Sequence, residues 1–318
     1  MIVTFGEALV DLIEQDDGNF APLLGGSVAN FTLAVARQGM AASYLNPLSS
    51  DSFGQRFARH LGAAGIVLAS AHASRLPTAL ALVTLDAGKV PSYAFHRAAV
   101  ADRDITAEQA SALLPPAIVL FHTGGLALVP DDLAATLAVA AAAAAAGALV
   151  SIDANLRPLA VPSLPLYAAG VRRALAQAHL VKVSEEDLQY LGLAHSDPVA
   201  AARTLFDGSA TELIALTLGG EGGVLLSRQA TVALPVPAGV TVVDTVGAGD
   251  CFHAGLVASL YRAGVLTLAA LPGLERPVLA QALRYAIATA SLNVMRKGCS
   301  PPLRAQVEQF LNSPGEFP

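Results

Sequence analysis

The chain has 318 residues, 54% of them hydrophobic and 14% charged, with a formal net charge of −6 and a pI of about 5.6. That length allows one large or two modest domains, and so apolar a composition excludes a disordered or fibrous chain. No basic groove for nucleic acid is present, so an anionic ligand must be held by a few placed cations and not by the overall field.

Taken in chain order, short apolar runs alternate with amphipathic stretches. Strands are predicted at residues 2–6, 43–45, 118–122, 149–153, 180–183, 212–218 and 223–226. Helices are predicted at 28–38, 53–64, 131–146, 166–176, 198–206 and 250–263. This alternation predicts a mainly parallel sheet covered on both faces, with ligands bound beyond the carboxyl ends of the strands. Asp11 lies just past the first strand, and Asn155 and Arg157 follow the strand ending at Asp153. Two stretches break the pattern. Residues 9–24 turn at Asp16-Asp17-Gly18. Residues 79–97 read as two strands around Asp86-Ala87-Gly88-Lys89, with Tyr93 and Phe95 alternating against Ala94 and His96. Together they predict a small separate sheet, a natural lid; the plainer alternative is a peripheral hairpin.

Residues 133–152 are uncharged and long enough to cross a bilayer. Their alanine content, the opening Asp131 and Asp132, and the break at Gly147 predict instead a helix, a glycine cap and a strand. The chain opens on a strand, Met1-Ile2-Val3-Thr4-Phe5, without a charged leader. Its two cysteines, Cys251 and Cys299, fit neither a zinc pattern nor a disulfide framework. A reducing, cytoplasmic setting is therefore expected. Cys251 reads as a small buried hydrophobe near a positive helix end.

The most informative stretch is Val242-Val243-Asp244-Thr245-Val246-Gly247-Ala248-Gly249-Asp250. A β-branched run ends in a glycine turn, and an amphipathic segment follows. Glycines at 247 and 249 let backbone N–H groups converge at a helix start, where the dipole favours an anion. Asp250 adds a carboxylate beside that anion, as phosphoryl transfer to a hydroxyl requires. The helix N-terminus is expected to keep it ionised and below its ordinary value near 3.9. The competing reading is an acidic residue that merely complements the dipole. Earlier, Gly25-Gly26-Ser27-Val28-Ala29-Asn30 opens a helix; Asn30 offers a donor and an acceptor to a polyol, and Ser27 competes as an ordinary N-cap.

These two signatures, in this order, resemble those of the ribokinase-like sugar kinases (the phosphofructokinase B superfamily), and the likeness runs from Gly6 to about Pro302. Arg296-Lys297-Gly298-Cys299-Ser300-Pro301 is similar to the family's closing loop, with Cys for Ala. Phe95-His96-Arg97 with Ala101-Asp102, and Asp153-Ala154-Asn155-Leu156-Arg157-Pro158, are most similar to fructokinases. Ser184-Glu185-Glu186-Asp187 resembles the Asn-x-x-Glu element, with Ser and Asp substituted.

The resemblance implies a single three-layer α/β/α sandwich over residues 1–318, with a mainly parallel central sheet and a small β-sheet lid from about 9–24 and 77–101. It implies ATP and Mg2+ as cofactors, K+ as a further ion, and transfer of the γ-phosphoryl to a primary hydroxyl. Asp250 would be the base, with Gly247, Ala248 and Gly249 cradling the phosphoryl group. Asp11, Gly26 and Asn30 would grip sugar hydroxyls, Arg97 would reach down from the lid, and Arg157 would approach substrate or phosphate. Lys182, Thr217, Gly219 and Gly222 would line the nucleotide. Asp187 would serve magnesium through water, and carbonyls near Asp244 and Ser300 would hold a monovalent cation.

Fructose is the first acceptor suggested; 2-keto-3-deoxygluconate, ribose and a nucleoside are alternatives. A binding or regulatory protein on the same fold is the alternative of another class, against which the retained Asp250 speaks. Neither nucleic acid nor membrane is expected as a partner, and an apolar lid face would favour a homodimer. A dinucleotide-dependent oxidoreductase is disfavoured because residues 2–14 lack Gly-x-Gly-x-x-Gly.

Overall fold

The computed structural model describes residues 1–15, 17–85, 91–193 and 196–313. The strands in chain order are β1 (Ile2–Thr4), β2 (Leu9–Glu14), β3 (Phe20–Gly25), β4 (Ala42–Tyr44), β5 (Val67–Leu68), β6 (Ala79–Leu85), β7 (Pro91–His96), β8 (Leu120–Gly124), β9 (Leu149–Asp153), β10 (Leu180–Ser184), β11 (Leu213–Thr217), β12 (Gly223–Ser227) and β13 (Thr231–Leu234). The helices are α1 (Ser27–Arg37), α2 (Ser52–Ala63), α3 (Ala107–Ala112), α4 (Pro130–Ala145), α5 (Leu164–Leu175), α6 (Glu185–Tyr190), α7 (Pro198–Arg203), α8 (Ala248–Arg262), α9 (Arg276–Val294) and α10 (Arg304–Leu311).

Nine strands form one sheet in the order β13-β12-β11-β10-β9-β8-β1-β4-β5. The strands from β11 through β5 pair in parallel, and β12 and β13 close one edge antiparallel. This is the mainly parallel sheet the alternation predicts, with an antiparallel edge that the alternation does not. Strand parity splits the core into two layers. Val3, Phe121, Val150, Ile152, Val181, Val183, Ile214 and Leu216 pack on one side, with residues of α4, α5 and α7. Ile2, Leu120, Leu149, Leu180, Leu213 and Ala215 face the other, against α1, α2, α8 and α9. The same period of two sends Ser151, Asp153 and Lys182 toward the α1 and α8 side.

Helix α4 begins with Pro130 at its first position and Asp131 and Asp132 in the first turn, the arrangement that suits an N-terminus. It ends at Gly147, whose φ of 88° requires glycine, with Ala148 N–H donating to Ala143 O at 3.1 Å. The apolar stretch 133–152 is thus helix, cap and strand. Among the described residues no helix is long and apolar enough to cross a membrane.

A second sheet has the order β3-β2-β6-β7, with β2 and β6 parallel and the other two pairs antiparallel. The two stretches that broke the alternation supply all of it. The predicted turn at residues 86–89, and Asp16 of the other turn, lie outside the described residues.

Candidate active site

A cavity of about 550 Å3 lies where the carboxyl ends of the central strands meet the small sheet. Leu9, Ile13, Leu23, Val83, Tyr93 and Phe95 of the small sheet give it an apolar wall. Opposite stand Asp11, Gly26, Asn30, Asn155, Arg157 and Lys182, with the whole run from Asp244 to Asp250. Of the residues expected to grip a sugar, four therefore line one cavity: Asp11, Gly26, Asn30 and Arg157.

Gly247 caps α8 with φ 74°, and a Cβ there would stand 2.3 Å from Cys299 Sγ, so only glycine fits. Ala248 N–H already donates to Thr245 O at 3.1 Å. The amides of Gly247, Gly249 and Asp250 have no backbone acceptor among the described residues, as expected of a first helical turn, and remain for an anion. A Cβ on Gly249 would stand 3.0 Å from Lys182 Nζ. The missing side chain is what lets that ammonium approach the turn.

Asp250 is 8% exposed, and its Oδ2 accepts from Asn30 Nδ2 at 2.9 Å. Its carboxyl is pushed up to about 7, first by burial and then by the negative charge of Asp153; Asn30, Lys182 and Arg157 oppose the rise. This corrects the expectation of a depressed value. The dipole of the helix end is outweighed because the group has lost most of its water. Asp11 is likewise pushed up to about 6 by burial, against the pull of Arg157 and with a smaller push from Glu7.

Lys182 was expected along the nucleotide. It is 4% exposed and donates to both oxygens of Asp153 at 2.9 Å, beneath Gly249. Burial opposes the charge of Lys182, but Asp153 outweighs it, so the lysine is raised and stays charged beside the glycine turn. Thr217, Gly219 and Gly222 lie at the end of β11 and in the turn to β12, outside the lining of the cavity. Gly222 has φ 105°, and a Cβ would meet Leu234 O at 2.2 Å; the turn itself accounts for that glycine.

Arg97 does not reach the cavity. Its guanidinium pairs with Asp102 at 3.2 Å and Asp132 at 3.4 Å and donates to Leu126 O at 3.1 Å, along a second, smaller cavity of about 240 Å3. A buried carboxylate, Asp102, and a partly buried one, Asp132, outcompete an open pocket for that cation. Asp187 is also engaged elsewhere. Its Oδ1 accepts from Leu156 N–H at 2.8 Å, and its Oδ2 from Ser184 N–H and Oγ–H, both at 2.8 Å. Ser184 and Asp187 form a capping box at the start of α6, which together with the Leu156 amide engages both carboxylate oxygens of Asp187.

Asp244 joins the two late loops: Oδ1 accepts from Val246 N–H at 3.0 Å and Oδ2 from Gly298 N–H at 2.8 Å. Asn293 bridges them again, donating to Val246 O and accepting from Ser300 N–H, both at 2.8 Å. Asp244 and Ser300 therefore do come together, through a residue not singled out from the sequence. Among the described residues no group of three or more His, Cys, Asp or Glu side chains is placed to hold a metal ion. A cation near Asp244 and Ser300 would have to rely on carbonyl oxygens. Cys251 is buried, and its thiol is pushed up by burial and by contact with Cys299, in keeping with a buried hydrophobe.

Sequence reasoning also missed Glu7 and Asp153, both at ends of central strands, where the rule that picked out Asp11 would have found them. Asn155, with φ 36°, lines the cavity in a conformation rare for a non-glycine residue.

Residues 1–306 match the family described as pfkB family carbohydrate kinase. A curated relative, a fructokinase of Rhizobium leguminosarum bv. trifolii, is 32% identical over 283 residues, 88% of this chain and 85% of its own. The structure of a fructokinase from Xylella fastidiosa with bound ATP has a TM-score of 0.85 at 29% identity over 98% of both chains. That of an aminoimidazole riboside kinase from Salmonella enterica, complexed with aminoimidazole riboside and an ATP analog, has a TM-score of 0.82 at 26% identity, covering 98% of this chain and 100% of that one.

Proposed function

The chain belongs to the pfkB family of carbohydrate kinases and is an ATP-dependent sugar kinase; from that premise we propose that it phosphorylates a primary hydroxyl of fructose, with Asp250 as general base. The observation that carries this reading is one cavity holding the free amides of the α8 start, the carboxylate of Asp250 and the polar groups Asp11, Asn30 and Arg157.

Asp250 Oδ2 is occupied by Asn30, which leaves Oδ1 to accept the hydroxyl proton as the oxygen attacks phosphorus. The amides of Gly247 and Gly249 and the Lys182 ammonium would stabilise charge on the transferring phosphoryl group. Asp11 and Asn30 would orient the sugar through hydrogen bonds, and Arg157 stands near both Asp11 and Asp250. The apolar wall from the small sheet would keep water, the competing acceptor, out. Mg2+ fits as an ion carried on the nucleotide phosphates with water completing its shell, since Asp187 is already committed. A potassium ion at carbonyls of the Asp244 and Ser300 loops, a homodimer through the small sheet and a cytoplasmic setting belong to the same reading.

The relatives named as fructokinases and the modest aromatic surface at Tyr93 and Phe95 support fructose. The likeness to a riboside kinase supports a second reading, an aminoimidazole riboside acceptor stacked on those two rings. ADP release with a panel of ketoses, aldoses, sugar acids and ribosides decides between them. Fructose should give the highest kcat/KM. A higher value for a riboside would replace the proposal, and no release with any acceptor would remove it.

A further inference from the structure

Glu7 lies just beyond β1 and is 2% exposed, and the chemistry above gives it no task. Helix α1 starts at Ser27 behind Gly26, and no side chain at the cap position serves it. Glu7 supplies the acceptor from another element. Its Oε1 receives Ser27 N–H at 3.0 Å and Ser27 Oγ–H at 2.7 Å. A carboxylate at this place also complements the helix dipole. One turn along, Asn30 donates to Asp250 at 2.9 Å. The surroundings are shaped to this contact: a Cβ on Gly125 would stand 2.6 Å from Ser27 Oγ and 3.0 Å from Glu7 Oε1.

The second oxygen, Oε2, is buried without a partner. A glutamine would accept the same bonds through its amide oxygen without burying a charge, so seating the helix does not by itself call for a carboxylate. Burial pushes the Glu7 carboxyl up against the pull of Arg97, and Glu7 adds only the smallest of the influences on Asp11. Asp11 also faces Arg157 from the loop after β9 and Tyr93 from β7. Glu7 itself faces Ser27 of α1, Arg97 and Asp102 after β7, Tyr44 of β4 and Tyr167 of α5.

Resting on the assignment of Asp11, Asn30 and Asp250 to the sugar side, we infer that Glu7 is a positioning residue of the sugar site. Through Ser27 it seats the first turn of α1, and with it Asn30 against Asp250.

Steady-state kinetics with fructose and ATP, fructose calorimetry and thermal melts on wild type, Glu7→Ala and Glu7→Gln test this. Glu7→Ala should lower kcat/KM for fructose by about tenfold or more, the scale of a lost hydrogen bond to a charged group, and leave the KM for ATP unchanged. Glu7→Gln should recover most of the turnover. Wild-type kcat/KM in a folded Glu7→Ala protein overturns the seating role. If that variant does not fold, Ser27→Ala, which removes the hydroxyl that donates to Glu7 Oε1 at 2.7 Å, decides: wild-type kcat/KM for fructose in that variant overturns the inference. An inactive wild type would instead condemn the underlying assignment.

Discussion

As the proposed base, Asp250 has to be ionised in surroundings that favour its protonated form. For an acid whose value rises from 3.8 to about 7 on folding, the native state holds more protons than the unfolded one between those values. Stability is therefore lost as pH rises through that window, by roughly 4 kcal/mol once the group is fully ionised. Asp250→Asn removes the penalty while its amide oxygen still accepts from Asn30. We expect this variant to melt above wild type at pH 8, with the gap closing toward pH 4, while turnover falls roughly 10²–10⁴-fold. Melting curves at the two pH values, beside a single-turnover assay, check both halves. The same shift sets the activity profile: kcat/KM for the sugar should decline below about 7 as Asp250 protonates, and more steeply below about 6 as Asp11 follows. Asp11→Asn should erase the lower break and keep the upper one. Both carboxylates, singled out from the sequence, line the cavity. Sequence reasoning misjudged the direction at Asp250, since a local rule about helix ends carries no information on how little water reaches the site or that Lys182 is shared with Asp153.

At the scale of elements, the capping box of α6 separates a structural from a metal-bound Asp187. Ser184→Ala removes the hydroxyl that receives Asp187 N–H at 3.0 Å and should cost about 1 kcal/mol of stability. Asp187→Asn should lower the melting temperature and leave the magnesium concentration for half-maximal turnover unchanged; a large rise would return the carboxylate to the metal. Short strands such as β9 and helices such as α1 were legible because each has one clear apolar pattern between polar or glycine punctuation. Helix α9 was not. Leu279, Leu283, Ala286 and Ile287 pack toward the sheet side, while Tyr285 and Ala288 pack with Val307 of α10. Two apolar faces blur the single stripe on which helix recognition depends. Arg97 failed for a different reason: its partners Asp102 and Asp132 come together only through the fold.

Across the whole molecule, the cavity belongs to neither sheet alone. The large sheet supplies its chemistry and the small one its apolar wall, so a ligand bound between them must couple the two. The break in strand–helix alternation was visible in the sequence, and so was the second sheet; its position over the carboxyl ends is a matter of packing that no single stretch encodes. Phe20, 39% exposed on the edge strand β3, marks the small sheet as less covered than the core strands. In the free protein its amides should exchange by local opening, well below the free energy of global unfolding. Binding at 100 times the dissociation constant adds about 2.7 kcal/mol to every opening that releases the ligand. Saturating fructose should therefore slow exchange across β2, β3, β6 and β7 by roughly 10²-fold. Amides of β9 and β10, already buried under helices on both faces, should change only where exchange requires global unfolding. Mass-spectrometric exchange with and without fructose distinguishes this from a hairpin that merely decorates the surface, for which the small sheet would exchange at the same rate in both samples.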